Sequence, residues 1–305
     1  MSSFYAIDDR EAARRAVSCD CLAHRHGNAA DRPVRQRAYP TDMTDAEWAA
    51  TAPLIPVPAW MGGKGGRPEG YCHREMLDAV RYVVDNGIKW RAMPADFPSW
   101  DAVYRFFRRW RDQGLLTVWH DRLRRACRVR EGREPEPTAG VVDSQSLRAA
   151  ETVGTGRRGY DGGKRVNGTK RHIAVDTIGL LLTVLVTAAG VQDRDGAMPL
   201  LGRLRAACPR VALVWADGGY AGALVAWCAA HLAGLRLAIV KRSDTAKGFV
   251  VLHRRWCVER TLSWITCRRR CVRDYERRED THEAMIRWAM TYVMTRRLAR
   301  PAPRR

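Results

Sequence analysis

The sequence predicts an α+β chain, in which a small all-α region precedes a mixed α/β sheet domain. Three observations predict it. Apolar residues repeat at helical spacing up to about position 130 and then fall into runs of strand length. The stretch Glu131-Gly-Arg-Glu-Pro-Glu-Pro137 sits at that switch and reads as a linker. Beyond it, strands come first as a consecutive set and then alternate with helices.

Composition narrows the function. The 305 residues are 46% hydrophobic and 28% charged, enough to bury a sizeable core and to exclude wholesale disorder. Lys and Arg number 53 against 33 Asp and Glu, a net charge of +20. That excess excludes an ordinary enzyme of balanced surface and points to a polyanion partner. All but six of the cations are Arg, which suits bidentate phosphate contacts, although a GC-biased genome gives the same enrichment. The nine Cys are an odd number, and residues 1–30 are too polar for a signal peptide. Reduced thiols in a soluble, cytoplasmic, nucleoid-associated bacterial protein are the expectation. The longest apolar run, 178–191, has 14 residues, too short to span a bilayer, so no membrane partner is expected.

Residues 1–38 stand apart. Cys19, Cys21, His24 and His26 lie in a polar, Arg-rich setting without periodicity. C-x-C-x-x-H-x-H is not a usual zinc spacing. The segment reads as a disordered arm, or as the product of a start codon placed upstream of a natural start at Met43.

Residues 39–131 read as the helical domain. Thr44 can cap a helix through Trp48 to Leu54, and the Gly- and Pro-rich run 62–68 is a loop. A second helix starts near His73, aligns Leu77, Val80, Val83 and Val84, and stops at Gly87. Ser99 caps a third, with Val103, Phe106, Phe107 and Trp110 on one face and Arg105, Arg108, Arg109 and Arg111 on the other. A fourth carries Arg122, Arg124, Arg125, Arg128 and Arg130. Nine Arg against three acids over 101–130 leave +6, which reads as a DNA-facing surface of a helix-turn-helix-like domain.

Residues 138–299 form the second domain, followed by a basic tail at 300–305. A short strand leads from Ala139 to Asp143; 170–176 alternates as a strand; Asp176-Thr-Ile-Gly179 turns; 180–188 is a fully apolar strand. Residues 193–204 read as loop and helix, 211–215 as a strand ending at Asp217, and 221–232 as a helix. A strand over 235–240 and helices over 254–273 and 281–298 complete the domain. Three strands in an antiparallel meander, then crossovers onto a mixed sheet, are the order of an RNase H-like domain. That fold places acids in the first strand, at the end of the fourth and on a following helix. Asp143, Asp217 and Glu259 occupy those places. Carboxylates from two neighbouring strands and a helix can hold the hard divalent cations of phosphodiester chemistry. Asp176, Asp193 and Asp195 compete, but the first suits a hairpin turn and the others a helix N-cap.

Four runs carry a family resemblance: Val142-Asp-Ser-Gln-Ser146, Gly163-Lys-Arg-Val-Asn-Gly-Thr-Lys-Arg-His172, Ala216-Asp-Gly-Gly-Tyr220 and Arg255-Trp-Cys-Val-Glu-Arg-Thr261. Together with 43–48 and 90–94, they resemble DDE transposases of bacterial insertion sequences, most closely the insertion-sequence-five family. The resemblance covers 39–297. It implies a catalytic, metal-binding triad of Asp143, Asp217 and Glu259. It also implies Mg²⁺-dependent strand cleavage and transfer, for which Mn²⁺ substitutes, and recognition of terminal inverted repeats. The family's helix pattern, Tyr-x2-Arg-x3-Glu-x6-Lys, is met here by Arg255 and Glu259 but departs at Leu252 and Thr266. Arg255 lies one turn before Glu259 and is expected on a DNA phosphate, with Arg268 or Arg269 standing in for the missing Lys.

The segment 154–171 has six Gly and six cations against one acid. It lacks the context of a nucleotide-binding loop and reads as a mobile phosphate-contacting loop with Lys164, Lys170 and Arg171. Only 42 positions separate Asp217 from Glu259, so no large insertion domain fits. The expected partner is double-stranded DNA, both element ends and target, bound by a homo-oligomer. The alternatives are an RNase H-like nuclease or resolvase without strand transfer, and a catalytically silent DNA-binding protein.

Overall fold

The computed structural model describes residues 19, 21–25, 35–59, 70–240 and 256–301. The loop at 62–68, Leu252, Arg255, residues 302–305 and all of 1–18 and 26–34, His26 included, lie outside the described residues.

Among the described residues, four helices longer than a single turn precede the sheet: α1 (Asp45–Thr51), α2 (His73–Asn86), α3 (Trp100–Asp112) and α4 (Leu115–Arg130). Thr44 starts α1 with a full capping box. Its hydroxyl accepts from the Glu47 N–H at 3.1 Å, and its own N–H donates to the Glu47 carboxylate at 3.0 Å. Gly87, at φ +69°, stops α2 as expected. Ser99 precedes α3 but makes no capping bond to the helix backbone.

The sheet strands are β1 (Ala139–Arg148), β2 (Gly159–Asp161), β3 (Val166–Asp176), β4 (Leu181–Ala188), β5 (Leu213–Ala216) and β6 (Arg236–Ile239). Their helices are α5 (Asp193–Ala207), α6 (Ala223–His231), α7 (Trp256–Thr266) and α8 (Glu279–Ala299). The strand order is β4-β3-β1-β5-β6, with β2 continuing the β4 edge alongside the start of β3. β1, β3 and β4 are antiparallel, whereas β5 and β6 run parallel to β1. This is the expected RNase H-like mixed sheet.

Two local expectations are corrected. Residues 154–168 are not one open loop: β2 and β3 make a hairpin, with Arg165 at φ +54° in its turn. Gly168 serves strand packing, because a Cβ there would stand 2.0 Å from the Leu147 carbonyl oxygen. The long helix expected over 254–273 is shorter, ending at Thr266 before a separate 3-10 turn, Arg269–Cys271.

Helices cover both sheet faces. One core layer joins Val142, Ala174, Leu182 and Leu185 to Leu200, Leu201 and Leu204 of α5 and Leu224 of α6. The other joins Val141, Ile173, Val175 and Val184 to α7, α8 and all four N-terminal helices. The centre of this second core is aromatic: Trp288 of α8 stacks on Trp110 at 6.0 Å and meets Trp119 edge-on at 5.5 Å. The stretch 131–137 therefore does not separate two cores. Nor does structure begin at 39, since Arg35 pairs with Asp42 at 2.9 Å and Asp96 at 3.0 Å. Among the described residues, no helix is long and apolar enough to cross a membrane.

Candidate active site

Strand register assembles the acids. β1 and β5 pair Ala139 with Leu213, Gly140 with Val214 and Val141 with Trp215. Two residues beyond the last of these pairs stand Asp143, still within β1, and Asp217, the residue after β5. Side chains alternate between faces, so Asp143 shares the face of Val141 and Asp217 that of Trp215. α7 packs on that same face, against β1 and β3. It is anchored by the Thr261 hydroxyl, which donates to Gly179 O at 2.7 Å, and by Arg260, which donates to Ile178 O at 3.0 Å. Glu259 lies in its first turn, exposed, next to the buried Val258.

Local hydrogen bonds orient the two strand acids. Asp143, half-buried, accepts from the Ser144 N–H at 2.8 Å. Asp217 caps the 3-10 turn Gly218–Tyr220 and accepts from the Gly219 N–H at 2.8 Å. The turn delivers Tyr220 to the buried side of the site. Burial, then the negative charges of Asp143 and Asp193, push the Tyr220 phenol well above its ordinary value, while a bond with Ser144 opposes them. Tyr220 and Ser144 were not singled out from the sequence, although both stand within the runs that carry the family resemblance.

Oxygen-only carboxylates suit a hard divalent cation. The competing acids are used elsewhere. Asp176 accepts from the Ile178 and Leu180 N–H groups in the β3–β4 turn. Asp193 pairs with Lys170 at 2.8 Å, and with Asp195 it lies in the first turn of α5, where Gln192 and not an Asp is the N-cap.

The expected DNA contacts divide. Lys164 at the β2–β3 turn, Arg105 and Arg108 on α3, and Arg269 are exposed; Arg109 is half-buried. Lys170 and Arg171 are corrected: both are buried and belong to the interior. Lys170 joins Asp161, Asp193 and the Val191 carbonyl. Arg171 donates to Gln145 and, at 2.9 Å, to Cys271 O. Arg268 is likewise turned inward, paired with Asp85 and stacked over Tyr292 at 4.0 Å. On α4, Arg124 and Arg128 are buried as well, against the expected basic face. Arg130, Arg260, Arg297 and Arg300 line a cleft beside Ile178 that the sequence did not reveal. The expected phosphate contact from Arg255 lies outside the described residues.

Residues 134–294 match the family described as "Transposase DDE domain", and residues 43–120 match "Putative transposase of IS4/5 family". Two proteins of Burkholderia cepacia are similar. An insertion element IS402 protein of 16.2 kDa is 30% identical over 38% of this chain and 77% of its own length. A "Putative transposase for insertion sequence element IS402" is 31% identical over 39% of this chain and 59% of its own length. The chain thus covers less than two thirds of that second relative. No solved structure matches the chain. All three acids fall within the first family match.

Proposed function

The chain belongs to the DDE-domain transposases, and from that premise we propose that it binds the terminal inverted repeats of an insertion sequence, cuts there and joins the freed 3′ ends to target DNA. The observation that supports this reading is the parallel pairing of β1 with β5, toward whose shared end Asp143 and Asp217 lie, with α7 packed against β1. Asp143, Asp217 and Glu259 hold divalent cations, Mg²⁺ with Mn²⁺ able to substitute. When bound, the metal activates the attacking water or hydroxyl and stabilises the leaving oxygen of the phosphodiester.

The protein's own groups prepare that site. The N–H groups of Ser144 and Gly219 each donate to one oxygen of Asp143 and Asp217, which helps to orient the two carboxylates. Tyr220, in the core layer with α5 and α6, stays protonated and so adds no negative charge near the acids. Gly218 and Gly219 are exposed and without bulk, which admits a DNA backbone close to Asp217. The Arg130–Arg300 cleft offers a path for phosphates beside α7, and Arg105 and Arg108 a second basic surface. Double-stranded DNA is the partner, and a homo-oligomer is the form that brings two ends together.

The test is nicking and joining of end-containing DNA by the full chain with Mg²⁺ or Mn²⁺. Asp217→Asn keeps shape but removes a ligand charge. It should lower both activities by more than about 100-fold, the upper cost of losing a group that only hydrogen-bonds to a metal ligand. End binding should persist. Asp143→Asn and Glu259→Gln should behave alike, and their combination should add little, as expected of groups acting together. Asp195→Asn should remain active. If Asp217→Asn nicks at the wild-type rate, the assignment fails; nicking without joining by the wild-type protein would favour a nuclease.

A further inference from the structure

A second group of ligating side chains lies far from the acids. Cys19, Cys21 and His24 of the N-terminal arm meet Cys72, the residue that caps α2. Their three sulfurs and one ring nitrogen all lie within 4.8 Å of one another. Cys72 Sγ is 3.6 Å from Cys19 Sγ, and Cys21 Sγ is 3.2 Å from His24 Nδ1. Zinc bond lengths in a regular tetrahedron place two sulfurs about 3.8 Å apart, and a sulfur and a nitrogen about 3.6 Å apart. The two distances are thus close to tetrahedral edges. None of the three cysteines is in a disulfide, and all three are buried.

We propose that Cys19, Cys21, His24 and Cys72 bind a structural zinc ion that staples the arm to the N-terminus of α2. The donor set selects the metal: three thiolates and one imidazole, closed at four ligands, suit structural Zn²⁺ rather than a hard cation. The surroundings stabilise thiolates. The His73 N–H donates to Cys21 Sγ at 3.4 Å, and the 14-residue α2 aims its positive end at the group. Zinc binding displaces the three thiol protons to solvent and holds the three thiolates.

The packing agrees with a staple. Ala23, on the single helical turn Leu22–Arg25 between the ligands, is fully buried in the core that contains Met76 and Leu77 of α2. A segment as short as residues 19–24 has little apolar surface of its own to hold it there. Cys72 lies inside the matched region 43–120, whereas Cys19, Cys21 and His24 lie outside both family matches, so the site joins family and non-family parts of the chain. The reading of 1–38 as a disordered arm is corrected for the described residues 19, 21–25 and 35–38, and the Cys-x-Cys-x-x-His run, whose spacing argued against zinc, meets Cys72 from outside the arm.

The test is the metal content of the full chain, purified under reducing conditions from zinc-replete cells. About one zinc per chain is expected by mass spectrometry, and cobalt put in its place should show the intense visible bands of a tetrahedral thiolate site. Cys72→Ser and Cys19→Ser should bring zinc to background, while Cys208→Ser, in the other core layer, should retain it. Should Cys72→Ser not fold, the metal content and cobalt spectrum of the wild-type chain decide alone. Wild-type protein without zinc, with iron in its place, or with an octahedral cobalt spectrum overturns the proposal, as does zinc retained by a folded Cys72→Ser.

Discussion

α3 and α4 are consecutive, both rich in Arg, and put their cations to opposite use. α3 buries one stripe, Val103, Phe106, Phe107 and Trp110, and leaves Arg105 and Arg108 in solvent. α4 is covered on two sides: α8 lies against one, and the chain leaving α4 folds back along the other. Arg124 and Arg128 are buried there. Arg128 donates to Glu134 O at 2.8 Å and pairs with the fully buried Asp176 at 2.5 Å. Arg124 reaches Pro135 O, Asp121 and Glu136. The β3 run Thr169-Lys-Arg-His172 follows α4, its cations turned into the interior. Net charge along a segment therefore does not measure the surface it offers to DNA. The number of sides the core covers decides that.

Removing a buried guanidinium should separate the two helices most. Arg128→Ala leaves Asp176 charged and unpaired in the interior, which should cost about 3–5 kcal/mol. Arg105→Ala removes an exposed i,i+4 pair with Asp101 and should stay within about 0.5 kcal/mol. Denaturant titration of both variants checks the contrast, and equal losses would break it. Asp176→Asn added to Arg128→Ala should recover part of the loss, because the amide oxygen can still accept from the turn while the stranded charge is gone.

The buried side should also be the acid-sensitive side. Burial lowers His172 to about 4, against an ordinary value near 6.5. The folded state thus holds the neutral ring. The stabilisation is complete above pH 6.5 and is lost as pH falls from there through 4, amounting to about 3 kcal/mol for a shift of that size. Burial lowers His120 of α4 in the same direction, partly opposed by Asp121. Stability measured from pH 7.5 to 4.5 should fall, and His172→Gln, which can keep the bond to Thr187, should flatten the slope. An unchanged slope in that variant would place the titration elsewhere.

Much of this was legible in the sequence. The Thr44 cap, the Gly87 stop and the fully apolar strand at 180–188 are local signals, and the structure has all three. So is the order of strands and helices that positions Asp143 and Asp217. What could not be read depends on partners distant in the chain. Lys170 and Arg171 look like phosphate ligands beside a Gly-rich run, but their partners Asp161, Asp193, Gln145 and Cys271 converge only in the fold. Cys72 gives no local hint that it joins Cys19, Cys21 and His24. The linker-like 131–137 was read from composition, which cannot show that Trp110, Trp119 and Trp288 make one core across it.

The smallest effect on folding tests the exposed side of the comparison directly. Arg105 and Arg108 lie four and seven positions after Asp101 on one helix face, and Arg105 holds Asp101 at 2.7 Å. Exposed pairs of this kind are worth little, so a phosphate can take the guanidinium at small cost. Each phosphate contact that releases a counterion adds about 0.9 to the slope of log affinity against log salt. The Arg105→Ala, Arg108→Ala double variant should therefore lower that slope by about 2 on duplex DNA, with the thermal midpoint unchanged. The loss should be the same for end-containing and random duplex, because phosphate contacts carry no sequence information. Arg269→Ala should lower the slope by about 1 on the same grounds, being exposed beyond α7. A double variant with the wild-type slope would make the α3 face ordinary solvated surface and would leave the cleft lined by Arg130, Arg260, Arg297 and Arg300 to carry the DNA.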